Sequence, residues 1–312
     1  MERIIKKDME LKVPQFDKEF KVTIVISTKD RVNELQKCLD SCLLLTDVFE
    51  ILVYDDGSID NTFFFVKNNY PSVSLYRGNR SIGLINARTK CAFFAKGNIL
   101  ISIDDDCVFQ NSSTISEILP FFNHSRVAVV TIPCIDVLIN PNSITQEGVG
   151  GLETLCLTTQ FRGCAHAIRR DVFLEMGGYY DNLIRQEEET DLGLRLWKEG
   201  YNIRIGNCSQ PILHYHSSIR NENMISFYRS RNQFLVNYRL MPIALFPIFA
   251  SKQLIQTFIH EVRNRRIRSF FKGLKSAIIE ITTGKVKRQP IGYRDYLAYK
   301  KLRVKGKLIY HA

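Results

Sequence analysis

Two clusters of carboxylates in this 312-residue chain have the residue types and spacing for metal and acid–base chemistry. Asp104-Asp105-Asp106 follows directly after the apolar run 99–103, and Asp55-Asp56 follows another such run. Adjacent aspartates repel one another unless hydrogen-bond donors or a cation neutralise them. A hard divalent ion with oxygen ligands, Mg²⁺ or Mn²⁺, would do so and would normally also bind substrate phosphates. A solvated acidic turn is the alternative, but the position at strand ends favours the metal site.

A second cluster, Glu187-Glu188-Glu189-Thr190-Asp191, stands at the start of a predicted helix. Acidic side chains stabilise that end of a helix through its macrodipole, which would be sufficient reason for them. The functional alternative is that one glutamate is a general base that takes a proton from an attacking hydroxyl. His214 and His216 alternate faces of an extended segment. One of them is a candidate metal or phosphate ligand, and the other would be structural.

The elements that must position these groups alternate between strand and helix. Buried strands are predicted at 22–27, 51–54 and 99–103 and a short strand at 73–76, with helical segments between them. This order predicts an α/β fold with a mostly parallel sheet flanked by helices. Ligands of such sheets bind beyond the carboxyl ends of the strands. Three of the four strands end in polar clusters, and their convergence predicts a site there.

The formal net charge of +11 is confined to the end of the chain. Residues 240–312 contain 16 Lys and Arg against 3 Asp and Glu, whereas residues 1–239 contain 27 against 29. A nucleic-acid platform over the first three-quarters is therefore excluded, and no nucleic-acid partner is expected. The eight cysteines form no CxxC pair and indicate reduced, mostly buried thiols in a cytosolic protein. The longest uncharged apolar run is 12 residues, so no transmembrane helix is predicted.

Several segments resemble the inverting family 2 glycosyltransferases of the GT-A fold, and they occur in that family's order. These are 22–31 (VTIVISTKDR), 53–60 (VYDDGSID), Gly83 with 86–88 (NAR), 97–106 (GNILISIDDD), 163–178, and 188–192 (EETDL) with Arg195 and Gly200. The resemblance covers about residues 20–240. It implies a GT-A (Rossmann-like) catalytic domain at 21–239, after an N-terminal arm at 1–20. A basic, mainly helical C-terminal region follows at 240–312.

The resemblance also implies roles for individual residues. Those implied to bind the nucleotide sugar are Ser27, Lys29, Asp56, Arg88, Asp104 and Asp105. Asp104 and Asp106 match the ends of the family's DxD metal motif, and His214 is the candidate third ligand. Glu189 matches the catalytic base, but this chain has Glu-Glu where the family often has Glu-Asp, so Glu188 is the alternative base. Ser27 and Lys29 stand where a proline and an aromatic residue are common.

The expected function is metal-dependent, inverting transfer of a sugar from a nucleotide-diphosphate donor to a hydroxyl acceptor. The acceptor would be a carbohydrate or a lipid-linked molecule, in surface polysaccharide or glycolipid assembly. A sugar nucleotidyltransferase is the first alternative, but it should carry a glycine-rich loop after its first strand, and 27–31 (STKDR) contains no glycine. A non-catalytic nucleotide-sugar binding module is the second alternative. A dinucleotide dehydrogenase is disfavoured, because this chain has no GxGxxG motif after its first strand.

The basic tail supports two interpretations. Leu254, Ile255, Phe258, Ile259 and Val262 fall on one helical face and are followed at once by four arginines. This helix either packs on the catalytic domain or lies on an anionic membrane surface through residues 254–312. The expected location is therefore cytoplasmic, with peripheral attachment to the inner face of the cell membrane as the second possibility.

Overall fold

The computed structural model describes residues 19–148, 151–216 and 221–311. The predicted N-terminal arm, 1–20, lies outside the described residues except for its last two positions. The described part folds as strands that alternate with helices up to about residue 214, followed by helices and a final strand.

The strands are β1 (Val22–Thr28), β2 (Glu50–Asp55), β3 (Ser74–Arg77), β4 (Ile99–Asp104), β5 (Cys107–Val108), β6 (Val127–Thr131), β7 (Cys134–Asp136), β8 (Ile144–Thr145), β9 (Thr154–Thr158), β10 (Ala165–Arg169), β11 (Asn202–Ile205), β12 (Ile212–His214) and β13 (Leu308–His311). The α-helices are α1 (Val32–Cys42), α2 (Thr62–Asn69), α3 (Leu84–Phe94), α4 (Thr114–Ile118), α5 (Arg170–Glu175), α6 (Glu188–Lys198), α7 (Glu222–Leu240), α8 (Phe246–Arg263), α9 (Ile267–Thr282) and α10 (Tyr293–Lys305). Two short 3₁₀ helices occupy Leu119–Phe122 and Asp181–Leu183.

Among the described residues, the main sheet has nine strands in the order β13-β9-β11-β6-β10-β4-β1-β2-β3. Seven of these strands run in one direction, and β9 and β10 run in the opposite one. The central strands are apolar on both faces because helices cover both sides of the sheet. The predicted α/β class with a mostly parallel sheet and a helical C-terminal extension is confirmed.

The strand registers bring the polar strand ends to one edge of the sheet. Ser27 at the end of β1 is opposite Asp104 at the end of β4, and Thr28 is opposite Asp55 at the end of β2. A second, small sheet stands beside this edge with the strand order β5-β12-β7-β8. Its strand β12 ends at His214, which is paired with Cys107 of β5 and with Asp136 of β7. The two sheets together therefore form the rim of the site.

The basic C-terminal region returns to the main sheet. Helix α9 crosses α7 at Gly273. The two backbones are so close there that a Cβ atom at Gly273 would lie 2.4 Å from the carbonyl oxygen of Phe227. Strand β13 then pairs with β9 at the edge of the main sheet. The apolar face predicted on this tail is divided: Phe258 packs against Phe270, whereas Ile255 and neighbouring apolar residues are exposed. Within the described residues, no helix combines the length and the apolar character needed to cross a bilayer.

Candidate functional site

Two cavities open at the carboxyl edge of the main sheet. The first, of about 550 Å³, lies over the ends of β1, β2 and β4 and is closed on one side by α7. The second, of about 380 Å³, lies between the start of α6 and the loop before β10. Asp104, His214, Leu84 and Arg185 border both cavities. A ligand in one cavity would therefore touch a ligand in the other near Asp104 and His214.

Asp104, Asp106 and His214 offer three ligand atoms within 4.8 Å of one another at this junction. His214 Nε2 lies 3.2 Å from Asp106 Oδ1 and 3.9 Å from Asp104 Oδ2. Asp106 Oδ1 is buried and accepts no hydrogen bond of good geometry. This buried carboxylate oxygen faces a ring nitrogen but forms no hydrogen bond with it. A cation bound between the two atoms would give both of them a partner. The residues present therefore fit a divalent ion.

The orientation of the His214 ring is set by Asp136. His214 Nδ1 lies 2.8 Å from Asp136 Oδ1, and Arg162 forms two further hydrogen bonds with that carboxylate. A proton on Nδ1 leaves the lone pair of Nε2 directed at Asp104 and Asp106, as in carboxylate–histidine–metal arrangements. His216 Nε2 also lies 2.8 Å from Asp136 Oδ1. Of the two candidate histidines, the structure therefore brings His214 to the aspartates and His216 to Asp136.

The middle aspartate of the cluster faces a different set of partners. Asp105 accepts hydrogen bonds from Thr28 Oγ1 at 2.7 Å and from Arg31 Nη1 at 2.6 Å, and Arg31 Nη2 bonds to Asp106 at 2.8 Å. Although Arg31 opposes it, burial raises the pKa of Asp105 to about 7. Although burial opposes them, Asp106 and Cys164 raise the pKa of His214 to about 11, so the ring is protonated when no cation is bound. Contacts with this protonated ring and with Arg31 outweigh burial at Asp106 and lower its pKa. Asp105 therefore anchors the cluster, while Asp106 stays ionised at neutral pH.

The residues predicted to contact the nucleoside border the first cavity. Ser27 is buried and its hydroxyl makes no hydrogen bond within the described residues, whereas Lys29 is exposed at the rim. Both carboxylate oxygens of Asp56 accept bonds from the loop before α3: from Ser81 Oγ at 2.7 Å, and from the backbone N–H groups of Ile82 and Gly83. Asp56 thus shapes one wall of the cavity through this loop.

Arg88 connects the two acidic clusters beneath the second cavity. Its guanidinium forms ion pairs with Asp104 and with Glu188 Oε1, the latter at 3.1 Å. Glu189 Oε1 instead accepts the backbone N–H of Gly163 at 2.9 Å. Gly163 is required by this close approach, because a Cβ atom there would lie 2.4 Å from Arg88 Nη1 and 2.8 Å from Glu189 Oε1. The two glutamates are therefore held differently, one by a cation and the other by the backbone.

Burial changes the acidity of these glutamates. It raises the pKa of Glu188, against the opposing effect of Arg88. Burial and the neighbouring charge of Glu188 raise the pKa of Glu189 to about 8. Glu188 is 4% exposed, and Glu189 is partly exposed to the second cavity. A carboxylate with a pKa near neutrality, open to a cavity, is suited to accept a proton from a hydroxyl.

Every residue that the sequence singled out for the site borders one cavity or the other: Ser27, Lys29, Asp56, Arg88, Asp104, Asp105, Asp106, Glu188, Glu189 and His214. The sequence reasoning missed three positioning residues, namely Arg31, Asp136 and Gly163. Asp136 had a signal, since it ends an apolar strand just as Asp55 and Asp104 do. Arg31 and Gly163 lie in segments that resemble the family, but nothing in those segments indicates their roles, because their partners are 26 or more positions away in the chain.

Comparison with known proteins agrees with this architecture. Residues 23–176 match the model of Glycosyl transferase family 2. The fold is similar to that of a mannosyltransferase, PcManGT from Pyrobaculum calidifontis solved with GDP-Man and Mn²⁺ (TM-score 0.57, 15% identity, 93% of this chain and 86% of that one). It is also similar to GalNAc-T7 solved with UDP, GalNAc and Mn²⁺ (TM-score 0.60, 19% identity, 86% of this chain and 58% of that one).

A third similar structure is residues 1–349 of TarS from S. aureus (TM-score 0.52, 14% identity, 85% of this chain and 92% of that one). At these identities the structural likeness concerns the fold, which is GT-A. The family match carries the activity, and the prediction of a glycosyltransferase is confirmed. Residues 23–176 thus form a Glycosyl transferase family 2 domain, and the protein is a glycosyltransferase of the GT-A fold.

Proposed function

We propose that this protein is a metal-dependent, inverting glycosyltransferase that takes its sugar from a nucleotide diphosphate. The observation that carries the proposal is the meeting of the two cavities at Asp104 and His214. The donor occupies the first cavity and the acceptor the second. The sugar is transferred where the two ligands touch, between the cation site and the glutamate pair.

The first cavity suits a nucleotide-sugar donor. Its volume of about 550 Å³ is in the range of small-molecule sites, and its wall includes the unsatisfied hydroxyl of Ser27 and the cation Lys29. Arg185 borders both cavities and forms no ion pair within the described residues, so it is available to a diphosphate. The similar structures with GDP-Man and with UDP and GalNAc support a donor of this class.

Asp104, Asp106 and His214 would hold the cation, which is Mg²⁺ or Mn²⁺. When bound, such an ion would stabilise the negative charge that develops on the departing diphosphate. This chain's own residues prepare the place: Asp136 directs the His214 lone pair inwards, and Arg31 fixes Asp106 from the other side. The Mn²⁺ in two of the similar structures supports this assignment.

Glu189 is the general base in this proposal, and Glu188 has the positioning role. An acceptor hydroxyl in the second cavity gives its proton to Glu189 while its oxygen bonds to the anomeric carbon. The bond from that carbon to the diphosphate oxygen breaks on the opposite face, so one displacement inverts the stereochemistry. Glu188 keeps Arg88 in place beneath the reacting groups.

The acceptor we propose is a carbohydrate or a lipid-linked carbohydrate of surface polysaccharide or glycolipid assembly. The second cavity is lined by side chains that form hydrogen bonds, among them Gln160, Gln186 and Thr190. Polar side chains of this kind pair with sugar hydroxyls. Arg303 of α10 also lines the cavity, so the C-terminal region contributes to the acceptor site.

The exposed apolar face of α8 and α9 supports a second proposal, attachment to an anionic membrane surface on the cytoplasmic side. Ile255, Ile259 and Val262 of α8 are 44–59% exposed. On α9, Ile267, Phe271 and Ile278 are 40–56% exposed. Basic residues stand between and beside them: Arg263, Arg265, Arg268, Lys272 and Lys275. An apolar stripe flanked by cations is the pattern of a helix that lies in the membrane interface, where each cation contributes about 1 kcal/mol.

Flotation with liposomes tests the membrane proposal. The protein should float with anionic vesicles at low salt and should not float with neutral ones. Ile255→Glu combined with Phe271→Glu should abolish flotation. The matched control is Val304→Glu, which changes an 87% exposed apolar residue on α10. Equal binding of the double variant and the control would contradict the proposal.

The proposed activity is tested by incubating the protein with UDP-, GDP- and dTDP-sugars in the presence of Mn²⁺ or Mg²⁺ and measuring the released nucleoside diphosphate. We expect release from one nucleotide class that requires the ion and that is lost in Asp106→Ala. A sugar nucleotidyltransferase would instead form pyrophosphate from a nucleoside triphosphate and a sugar phosphate. A binding module would bind a nucleotide sugar without turnover, even with an acceptor present.

A further inference from the structure

Three cysteines far apart in the chain lie together behind His214. Cys107 is on β5, Cys134 is on β7 and Cys164 immediately precedes β10, and all three are at most 5% exposed. In the small sheet, His214 is directly opposite Cys107. The thiols of Cys107 and Cys134 both contact that of Cys164, whose Sγ lies 3.8 Å from His214 Nδ1. The proposed mechanism uses none of these thiols.

These donors have the chemistry and spacing of a site for a soft metal ion. The ligand atoms of Cys107, Cys164 and His214 lie within 4.8 Å of one another, as do those of Cys134, Asp136 and His214. Tetrahedral Zn²⁺ with bonds of about 2.3 Å to sulfur and about 2.0 Å to nitrogen places such ligands roughly 3.6 Å apart. The observed 3.8 Å between Cys164 Sγ and His214 Nδ1 therefore requires little movement.

We propose that Cys107, Cys164 and His214 Nδ1 form a second metal site, selective for a thiophilic ion such as Zn²⁺, that inhibits binding of the transferase's own cation. The thiol of Cys134 lies beside this set, in contact with that of Cys164. Thiolates select Zn²⁺ over Mg²⁺ and Mn²⁺, whereas the aspartates at Nε2 prefer the harder ions. The inhibitory part of the inference rests on the proposed function, which assigns His214 Nε2 to the catalytic cation.

Competition follows from the chemistry of the imidazole ring. A neutral ring carries one proton, so that one nitrogen donates it and the other offers a lone pair. With the proton on Nδ1, towards Asp136, Nε2 is free to bind the ion held by Asp104 and Asp106. An ion on Nδ1 moves that proton to Nε2, and the cation at the aspartates loses a ligand. The two ions therefore exclude each other through one ring.

The thiol site is accessible from solvent through the second cavity. Both Cys164 and His214 line that cavity, so an incoming ion meets two of its ligands at the cavity wall. Each thiol that binds the ion releases its proton to solvent.

The alternative is that the three cysteines serve only as small apolar residues in the core. The two interpretations differ in whether the protein binds a thiophilic ion at all.

Binding of Co²⁺, a coloured substitute for Zn²⁺, tests the site without reference to activity. We expect one Co²⁺ per chain with sulfur-to-cobalt charge-transfer absorption in the near ultraviolet, displaced by Zn²⁺. Cys107→Ala and Cys164→Ala should lose this absorption and bind Zn²⁺ at least about tenfold more weakly in competition with a chromophoric chelator. Cys156→Ala, a buried cysteine on β9, is the matched control and should behave as wild type. Absence of the absorption from wild type would overturn the site, as would its persistence in a folded Cys107→Ala.

Mn²⁺ binding, followed by electron paramagnetic resonance, tests the competition. One equivalent of Zn²⁺ should weaken Mn²⁺ binding at least about tenfold in wild type and in Cys156→Ala. The effect should disappear in Cys107→Ala. If Zn²⁺ binds and Mn²⁺ affinity is unchanged, the inhibitory role is wrong. If Mn²⁺ does not bind wild type even without Zn²⁺, the proposed catalytic cation fails instead, and the thiol site is judged by the Co²⁺ spectrum alone.

Discussion

Replacing Glu189 with glutamine tests the assignment of the base, because the two side chains share a shape and differ in their ability to accept a proton. The amide oxygen of glutamine can still accept the N–H of Gly163, so the local structure should persist. We expect kcat to fall by about 10² to 10⁴, the usual contribution of a general base. In wild type, kcat/KM should rise with pH up to about 8, where Glu189 loses its proton, and then level off.

The same substitution should increase stability at alkaline pH. The pKa of Glu189 is raised in the folded protein from 4.5 to about 8, so the folded state holds its proton at pH values where the unfolded state has lost it. Stability contributed by this group is thus present below about pH 4.5 and is lost as the pH rises towards 8. At about 1.4 kcal/mol per pH unit the loss is at most about 5 kcal/mol, and partial exposure of the side chain reduces it to roughly 1–2 kcal/mol.

Urea unfolding at pH 5 and pH 8, together with transfer kinetics across the same range, measures both effects. Glu189→Gln should be more stable than wild type at pH 8 by roughly 1–2 kcal/mol and should differ less at pH 5. The control is Glu199→Gln, at an exposed position beyond the other end of α6, which should change neither quantity. Glu188→Ala should instead lose stability, because it removes the buried oxygen that pairs with the Arg88 guanidinium. Full activity in Glu189→Gln, with activity abolished in a folded Glu188→Gln, would refute the reasoning and exchange the two roles.

Three further substitutions test the positioning of the site. Asp106→Ala should abolish Mn²⁺ binding measured by electron paramagnetic resonance and lower kcat by about 10² to 10³; Mn²⁺ affinity equal to that of wild type would show that the ion is held elsewhere. Asp136→Asn weakens the hold on His214 Nδ1 and should lower Mn²⁺ affinity by about 10- to 100-fold, while nucleoside-diphosphate affinity without metal, measured by calorimetry, stays constant. Gly163→Ala places a methyl group 2.4 Å from Arg88 Nη1 and should cost about 1–3 kcal/mol in urea unfolding; unchanged stability and kcat would contradict the close approach.

The strands that build the donor side were predictable because their signal is local. The apolar run at 99–103 and the aspartates after it indicate, within eight residues, a buried strand with a polar end. The structure extends this strand by one residue, to Asp104. The strand ends could also be expected to meet, since parallel strands place their carboxyl ends at the same edge.

The small sheet β5-β12-β7-β8 was not predicted as a sheet. Its strands are two or three residues long, too short for a periodic pattern, and β12 pairs with β5 and β7 across 78 to 107 positions of the chain. The pairing of His214 with Asp136 and the clustering of Cys107, Cys134 and Cys164 both depend on this sheet. Spacing along the chain therefore indicated no metal site among these cysteines.

The sequence by itself determined the fold class, the resemblance to the family and which acidic residues border the two cavities. Each of these depends on residue type and on short-range order. The sequence left open which histidine meets the aspartates and how the two glutamates differ. Only the tertiary structure decided these points. Asp136 directs His214 towards Asp106, and Arg88 and Gly163 hold Glu188 and Glu189 in separate ways. These are long-range contacts, and their geometry is fixed by packing rather than by any property of the local sequence.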